Sequence, residues 1–342
     1  MAEMQTYIAW ANDKKILKSS ASGGIFQALA NYFLSDSMAC DSGCTVYGAW
    51  HDINTFTVKH RGVNSPEDIS LLIGSKYYQS EMQGVYPEIK KKLKDGQRIM
   101  FSGTPCQVAG LKSYLNCAGI TFEDQLLTVE VLCHGVSSRK VVMRYIEWME
   151  EKSGKKIQDI HFRTKKRRWY DKGSSMEVYY MDGTEKVIDR HVDPFYLAFN
   201  QSINLRPSCY SCHFAKIDRI ADITLGDFWG AENYTNNKKQ LHDGIGLVMV
   251  NTTAGRTFWN RVQDSITSEP INIEIAIPRN GAIIKPVNKP QLRKRFFDEL
   301  DKYNFGDLIK HCFGRKRLLK IRIKGIVGEE RLSRLKNVFR HS

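Results

Sequence analysis

Cysteine carries the most readable chemistry in this sequence. Cys209-Tyr210-Ser211-Cys212 is a Cys-x-x-Cys, a spacing that lets two thiolates converge on one metal or cluster from a single turn. Alone it fits half of a structural zinc site, a dithiol redox pair, half of a cluster site or a buried pair. No thioredoxin-like strand-helix context surrounds it, which disfavours the dithiol. Cys106 opens an expected helix, with Thr104 as N-cap and Pro105 at the first helical position. The positive end of the helix dipole favours a thiolate there. Cys133 ends an apolar strand and precedes His134-Gly135, a strand-terminal turn of the kind at which parallel sheets place ligands. Together Cys106, Cys133, Cys209 and Cys212 supply the four thiolates of either a zinc site or a 4Fe-4S cluster, and spacing does not choose between them. Of the other four among eight cysteines, Cys40 and Cys44 make a half site without a second half and read as structural. Cys117 and Cys312 are isolated.

Three small-residue turns recur at expected element boundaries: Ser22-Gly23-Gly24, Gly74-Ser75 and Gly103-Thr104. Backbone amides at such turns can approach a pyrophosphate closely, and two of the turns open helices whose N-termini favour anions. Glycine turns are far more often only turns, and none of these fits the Rossmann or P-loop spacing. Lys76 and His134 could place positive charge or a proton beside a bound group. A phosphate contact or a satisfied core position accounts for each equally well.

These residues need elements to hold them. The first half alternates helix-like and strand-like segments: a helix Ile25 to Leu34, a strand Thr45 to Trp50, a helix Tyr86 to Lys94, a strand Arg98 to Ser102 and a helix to about Tyr114. Leu126 to Leu132 reads as a buried strand, apolar throughout except at Thr128 and Glu130. A helix Lys140 to Glu151 follows. The glycine- and lysine-rich stretch Lys152 to Lys156 is expected as a boundary. Beyond it come strands at Ile157 to Phe162, Ser175 to Met181 and Glu185 to Arg190, the last two joined by the hairpin signal Asp182-Gly183. Strands Ile223 to Leu225 and Gly246 to Asn251 and a helix Ala254 to Ser265 complete the pattern, and the remainder reads as helical and basic. The expected fold class is α+β, mixed sheets with helices in two closely associated domains, 1–151 and 152–300, followed by a basic helical tail, 301–342.

Hydrophobic residues make up 42% of the chain, enough to bury a sizeable core. No run of eighteen apolar residues and no apolar signal core occur, so a cytoplasmic location is expected. In that reducing compartment, metal binding, chemistry or burial explains cysteines better than disulfides do. The net charge of +14 gathers at Lys165-Lys166-Arg167-Arg168 and between Lys310 and Arg340. These runs read first as solvated faces. Without interleaved aromatics or a recognisable module, no nucleic acid partner is expected. Membrane-surface contact of the tail, or its contact with an acidic redox partner, is the lesser reading.

The sequence resembles one family, the beta subunit of coenzyme F420 hydrogenase and dehydrogenase, with its flavin-containing relatives among bacterial and plant reductases. The motifs that carry the likeness are Ser20-Ala21-Ser22-Gly23-Gly24, Val46-Tyr47-Gly48-Ala49, Gly74-Ser75-Lys76-Tyr77 and Phe101-Ser102-Gly103-Thr104-Pro105-Cys106-Gln107. They continue with Cys133-His134-Gly135-Val136-Ser137-Ser138, Phe162-Arg163, Cys209-Tyr210-Ser211-Cys212 and the run Asp222 to Gly230. The resemblance implies FAD held by the glycine turns, through Ser22, Gly23, Gly24, Gly74, Ser75, Lys76, Tyr77, Gly103, Thr104 and Pro105, with His134, Gly135, Gly226 and Asp227 at the same cofactors. It implies one 4Fe-4S cluster on Cys106, Cys133, Cys209 and Cys212.

In such relatives electrons pass between cluster and flavin, and the flavin exchanges hydride with a substrate, which for archaeal members is the deazaflavin coenzyme. Lys76 and His134 are then the candidate catalytic residues, and Asp227 and Trp229 are expected to wall the cluster. Three departures stand out. The upstream ferredoxin-like run C-x2-C-x2-C-x3-C-P of many bacterial relatives does not precede the flavin region, so a separate donor or acceptor such as a ferredoxin is expected. Arg168 stands before Trp169 where relatives usually carry glycine, and Cys44 replaces a common glycine. The substrate is expected to be a small molecule or a glycan-pathway compound. Two rival readings are a zinc-stabilised, non-enzymatic binding module and an electron shuttle without a substrate of its own.

Overall fold

The computed structural model describes residues 4–36, 42–119, 124–166, 175–234 and 238–327. Cys40, Arg167, Arg168, Trp169 and the tail from residue 328 lie outside the described residues. The chain divides into two compact units, one formed by Met1–His134 with Ser211–Val287 and the other by Gly135–Tyr210 with Asn288–Ser342. Each unit is therefore discontinuous in sequence. The stretch Lys152 to Lys156, expected as a boundary, lies inside the second unit, where Gly154 at φ +68° caps the helix Arg139–Ser153.

The strands are β1 (Gln5–Ala11), β2 (Cys44–Asp52), β3 (Thr57–Val63), β4 (Ser80–Glu81), β5 (Arg98–Gly103), β6 (Leu126–Val131), β7 (Ile157–Thr164), β8 (Ser175–Tyr180), β9 (Glu185–Ile188), β10 (Ile223–Asp227), β11 (Gly246–Val250) and β12 (Ile266–Pro270). Among the described residues the first unit holds a nine-stranded sheet in the order β12-β1-β11-β10-β6-β5-β2-β3-β4. Its middle, β10-β6-β5-β2, is parallel. The flanking pairs β10-β11, β11-β1, β1-β12 and β2-β3 are antiparallel, so the mixed α+β class expected from the sequence is the one observed.

Alternation along the strands covers both faces of this sheet. Met100 joins Val46, Val129, Ile223 and Val248 under the helices Ile25–Asp36 and Thr253–Arg261, with Phe33, Phe258 and Trp259 in the same cluster. Its neighbours Ile99 and Phe101 turn the other way, onto Ile89, Leu93, Val108 and Leu111 of the helices Val85–Lys94 and Pro105–Cys117. β1 is not among the expected elements, and β12 departs from the expected helical C-terminal remainder. β1 becomes a strand because partners distant in sequence, β11 and β12, satisfy its backbone on both sides.

The second unit holds the antiparallel sheet β7-β8-β9. Gly183 at φ +81° turns the β8-β9 hairpin at the expected Asp182-Gly183. Helices Arg139–Ser153, Pro194–Asn200, Leu292–Glu299, Phe305–Phe313 and Arg315–Val327 complete it. Among the described residues no helix is long and apolar enough to cross a membrane.

Candidate functional site

The parallel strands of the first unit deliver the motif residues to their carboxyl ends. Gly103 at the end of β5 lies opposite Glu130 of β6, and Glu130 and Val131 lie opposite Thr224 and Leu225 of β10. Pairing runs one step further, with the Leu132 amide donating to the Leu225 carbonyl at 2.7 Å. Cys106 and Cys133 thus follow β5 and β6, and Gly226-Asp227 end the adjacent β10, the end at which open parallel sheets bind ligands. Gly226 has a packing reason as well, since a Cβ there would meet the Leu132 side chain at 3.1 Å.

Cys106 is exposed at the second position of its helix. Thr104 caps that helix as expected: its amide donates to Gln107 Oε1 at 2.9 Å, and its hydroxyl lies 3.1 Å from Cys106 Sγ. Gln107 Nε2 reaches Ser80 Oγ at 2.6 Å, which ties the segment after Gly74-Tyr77 to the Cys106 turn. Gly74 adopts φ +84° with open space where a Cβ would stand. Lys76 Nζ donates to the carbonyls of Leu72 at 3.1 Å and Ile73 at 2.7 Å, so its ammonium holds its own loop.

The ring of His60, on β3, stacks on Phe101 and lies 2.9 Å from the Ser102 carbonyl through Nε2. Burial pushes this imidazole down to about 4, with the Lys76 charge acting in the same direction. The neutral ring must carry its proton on Nε2 to serve that carbonyl. Its buried Nδ1 is left as an acceptor with no donor among the described residues. Nothing in the sequence marks His60, and its strand, β3, is not among the expected elements.

Ser22-Gly23-Gly24 belongs to the same end of the sheet. A Cβ on Gly23 would stand 2.5 Å from the Ala9 carbonyl oxygen and 2.7 Å from the Gly246 amide nitrogen, and Gly246 pairs with Asp227. Ser22 Oγ donates to the Ile245 carbonyl at 3.2 Å. Backbone approach alone demands glycine at position 23. Gly23→Ala is expected to lower the stability of the cofactor-free chain by about 1–3 kcal/mol, the usual cost of overpacking. Urea denaturation reads this, and an unchanged midpoint would return the glycine to a pure ligand-contact role.

In the second unit, Ser137 bridges Leu205 and the Arg206 amide donates to the Val136 carbonyl at 3.0 Å. Gly135, at φ +139°, could not carry a side chain here, because its Cβ would stand 2.7 Å from Leu205 and 3.4 Å from the Cβ of Cys209. Cys209 sits in the 3-10 turn Pro207–Ser211, its amide on the Arg206 carbonyl at 3.0 Å. Tyr210 donates its hydroxyl to the Ser202 carbonyl at 2.6 Å, and Arg293 stacks over Tyr210 while donating twice to the Leu205 carbonyl.

The expected ligands are all at least partly exposed, as is the isolated Cys117. Cys106 is exposed and Cys133, Cys209 and Cys212 are half-buried, whereas Cys44 and Cys312 are buried. Burial, reinforced by the Glu299 charge, pushes the Cys312 thiol up to about 11, which leaves it a poor ligand. None of the four cysteines of the expected site is in a disulfide, which keeps the sulfur chemistry a cluster requires. Among the described residues no three His, Cys, Asp or Glu side chains already stand together as ligands of one ion. For a flavin, the open Gly74 turn and the orphaned His60 Nδ1 are the features that fit.

Thiols and glycine turns lie at the carboxyl ends of parallel strands in an α+β protein whose mixed sheet is covered on both faces. The profile for the C terminus of the coenzyme F420 hydrogenase/dehydrogenase beta subunit matches residues 96–274, more than half of the 342 residues, and the chain belongs to that family of oxidoreductase subunits. A solved chain from the F420-reducing NiFe hydrogenase complex of Methanosarcina barkeri is similar at 20% identity with a TM-score of 0.52, over 92% of this chain and 94% of that one. At this identity the likeness concerns the fold. A comparison with curated proteins finds no match.

Proposed function

We propose that the chain is an iron-sulfur flavoprotein oxidoreductase that passes electrons between one 4Fe-4S cluster, FAD and a small-molecule substrate, with a separate protein such as a ferredoxin as donor or acceptor. The observation that carries this reading is the delivery of Cys106, Cys133 and Gly226-Asp227 to one end of adjacent parallel strands in a chain of a redox family. Cys106, Cys133, Cys209 and Cys212 would hold the cluster. The turns at Ser22-Gly24, Gly74-Tyr77 and Gly103-Pro105, with Gly135, would hold FAD, which supplies the step between one-electron delivery and two-electron transfer.

The chain's own contribution is placement and charge. The helix opened by Pro105 presents its first-turn backbone amides beside Cys106. Lys76, anchored on Leu72 and Ile73, would add a fixed positive charge beside His60, and His134, which is exposed, would exchange a proton with solvent.

Anaerobic reconstitution followed by metal, sulfide and flavin analysis tests the proposal. About four iron atoms with matching sulfide are expected per chain, together with bound FAD. Cys106→Ser, Cys133→Ser, Cys209→Ser and Cys212→Ser should each lose most of the iron, while Cys44→Ser and Cys312→Ser keep it. A colourless protein holding zinc on the same cysteines would overturn the reading in favour of a binding module.

A further inference from the structure

We propose that Arg219 is a positioning residue for the cysteine site, locking the irregular loop after Cys212 onto the strand that leads to Cys133; the claim about the cluster itself rests on the function proposed above. Residues 212–222 contain no helix or strand, so side-chain bonds must set the path of this segment. Arg219 supplies them from within the core. Its side chain is 1% exposed and its Nε is paired with Oε1 of Glu130, itself 0% exposed. Its Nη1 donates to the carbonyls of Phe214 at 3.2 Å and Lys216 at 3.0 Å. The turn begins at the cysteine, with the Ala215 amide 3.5 Å from the Cys212 carbonyl.

The other end of the lock is equally fixed. Glu130 stands three residues before Cys133, opposite Gly103 of β5 and Thr224 of β10. Thr224 Oγ1 donates to Glu130 Oε1 at 2.9 Å and is itself held by Asn251 Nδ2 at 3.0 Å. A second stitch comes from the helix that Cys106 opens: Lys112 Nζ donates to the Ile220 carbonyl at 2.7 Å. The segment that follows Cys212 is thus tied to the elements bearing Cys133 and Cys106 before any metal arrives.

A buried ion pair contributes little net stability relative to apolar packing of the same volume. What it supplies here is direction, because a planar guanidinium can divide its donors between one carboxylate and two carbonyls, and a lysine ammonium cannot reproduce that fork. The pair therefore acts on geometry more than on folding, as outer-shell groups of metal sites do.

Arg219→Lys and the paired replacement Glu130→Leu with Arg219→Met separate the two roles. In the metal-free chain, amide exchange across residues 213–220 is expected to rise about tenfold in both, the scale of one lost net hydrogen bond, while exchange elsewhere in the sheet is unchanged in the paired variant. After reconstitution, iron release to a chelator should speed up about tenfold or more, the usual effect of removing an outer-shell partner. Unchanged loop exchange in both variants would overturn the positioning claim. A uniform rise across the whole first unit in both would overturn it too, in favour of a plain stability role. If the parent chain takes up no iron, the proposed function fails, yet the exchange measurement still decides whether Arg219 locks the loop.

Discussion

Asp222→Ala is expected to cost the first unit at least about 3 kcal/mol, since each of three buried donors left without an acceptor costs about 1–3 kcal/mol. Asp222 Oδ2 accepts from both the amide and the hydroxyl of Thr128, at 2.8 and 2.5 Å, and Oδ1 accepts from Thr252 Oγ1 at 2.7 Å. Thr128 is wholly buried in β6. Thr252 is the N-cap of the helix Thr253–Arg261, its oxygen on the Gly255 amide at 3.0 Å. The carboxylate therefore joins β6, the start of β10 and a helix terminus. The Asn251 amide adds a bond to the Asp222 carbonyl at 2.9 Å. Alanine would strand three donors at once, whereas Asp222→Asn keeps one acceptor oxygen and should lose less than half as much. Urea denaturation of the cofactor-free chain measures both, and a loss below about 1 kcal/mol for alanine would mean that water replaces the carboxylate. Because Asp222 sets the register of β6 against β10, its removal should also disturb the pairing of Glu130 with Arg219.

Local signals made part of this site readable. Thr104, Pro105 and Gln107 spell out a helix start in consecutive residues, and the structure places Cys106 there. Asp182-Gly183 marks its hairpin in the same way. Contacts across long sequence separations left no such mark. β6 and β10 are parallel neighbours although residues 132–222 intervene, and no property of either strand names the other. The departure of the chain into a second unit after His134 and its return at Ser211 cannot be read from composition, because both units mix the same element types. Glu130 left one trace, a charge inside an otherwise apolar strand. Its meaning needed Arg219, eighty-nine residues away. His60, between Lys59 and Arg61 in a polar run, carried no signal at all; burial and the Ser102 carbonyl fix its protonation.

The second unit should carry a pH-dependent stability term of its own, centred on Asp193. This carboxylate caps the helix Pro194–Asn200, accepting from the Tyr196 amide at 2.9 Å through Oδ1, and takes the Tyr145 hydroxyl at 2.5 Å through Oδ2. Burial pushes it up from 3.8 to about 6, outweighing the opposing hydrogen bonds from Tyr145, Tyr196 and Phe195 and the charge of Lys152. A folded-state value above the unfolded one means that the folded chain holds its proton more tightly. The stabilisation from that proton is complete below about pH 4 and is lost as pH rises through about 6, a change of roughly 3 kcal/mol. Asp193→Asn keeps the cap and cannot ionise. The difference in unfolding free energy between parent and variant, followed by denaturant titration from pH 4 to pH 7, should therefore shift against the parent by roughly 3 kcal/mol, with most of the change between pH 4 and 6. A difference independent of pH would show that Asp193 reaches water in the folded chain and that the hydrogen bond from Tyr145 alone defines its state.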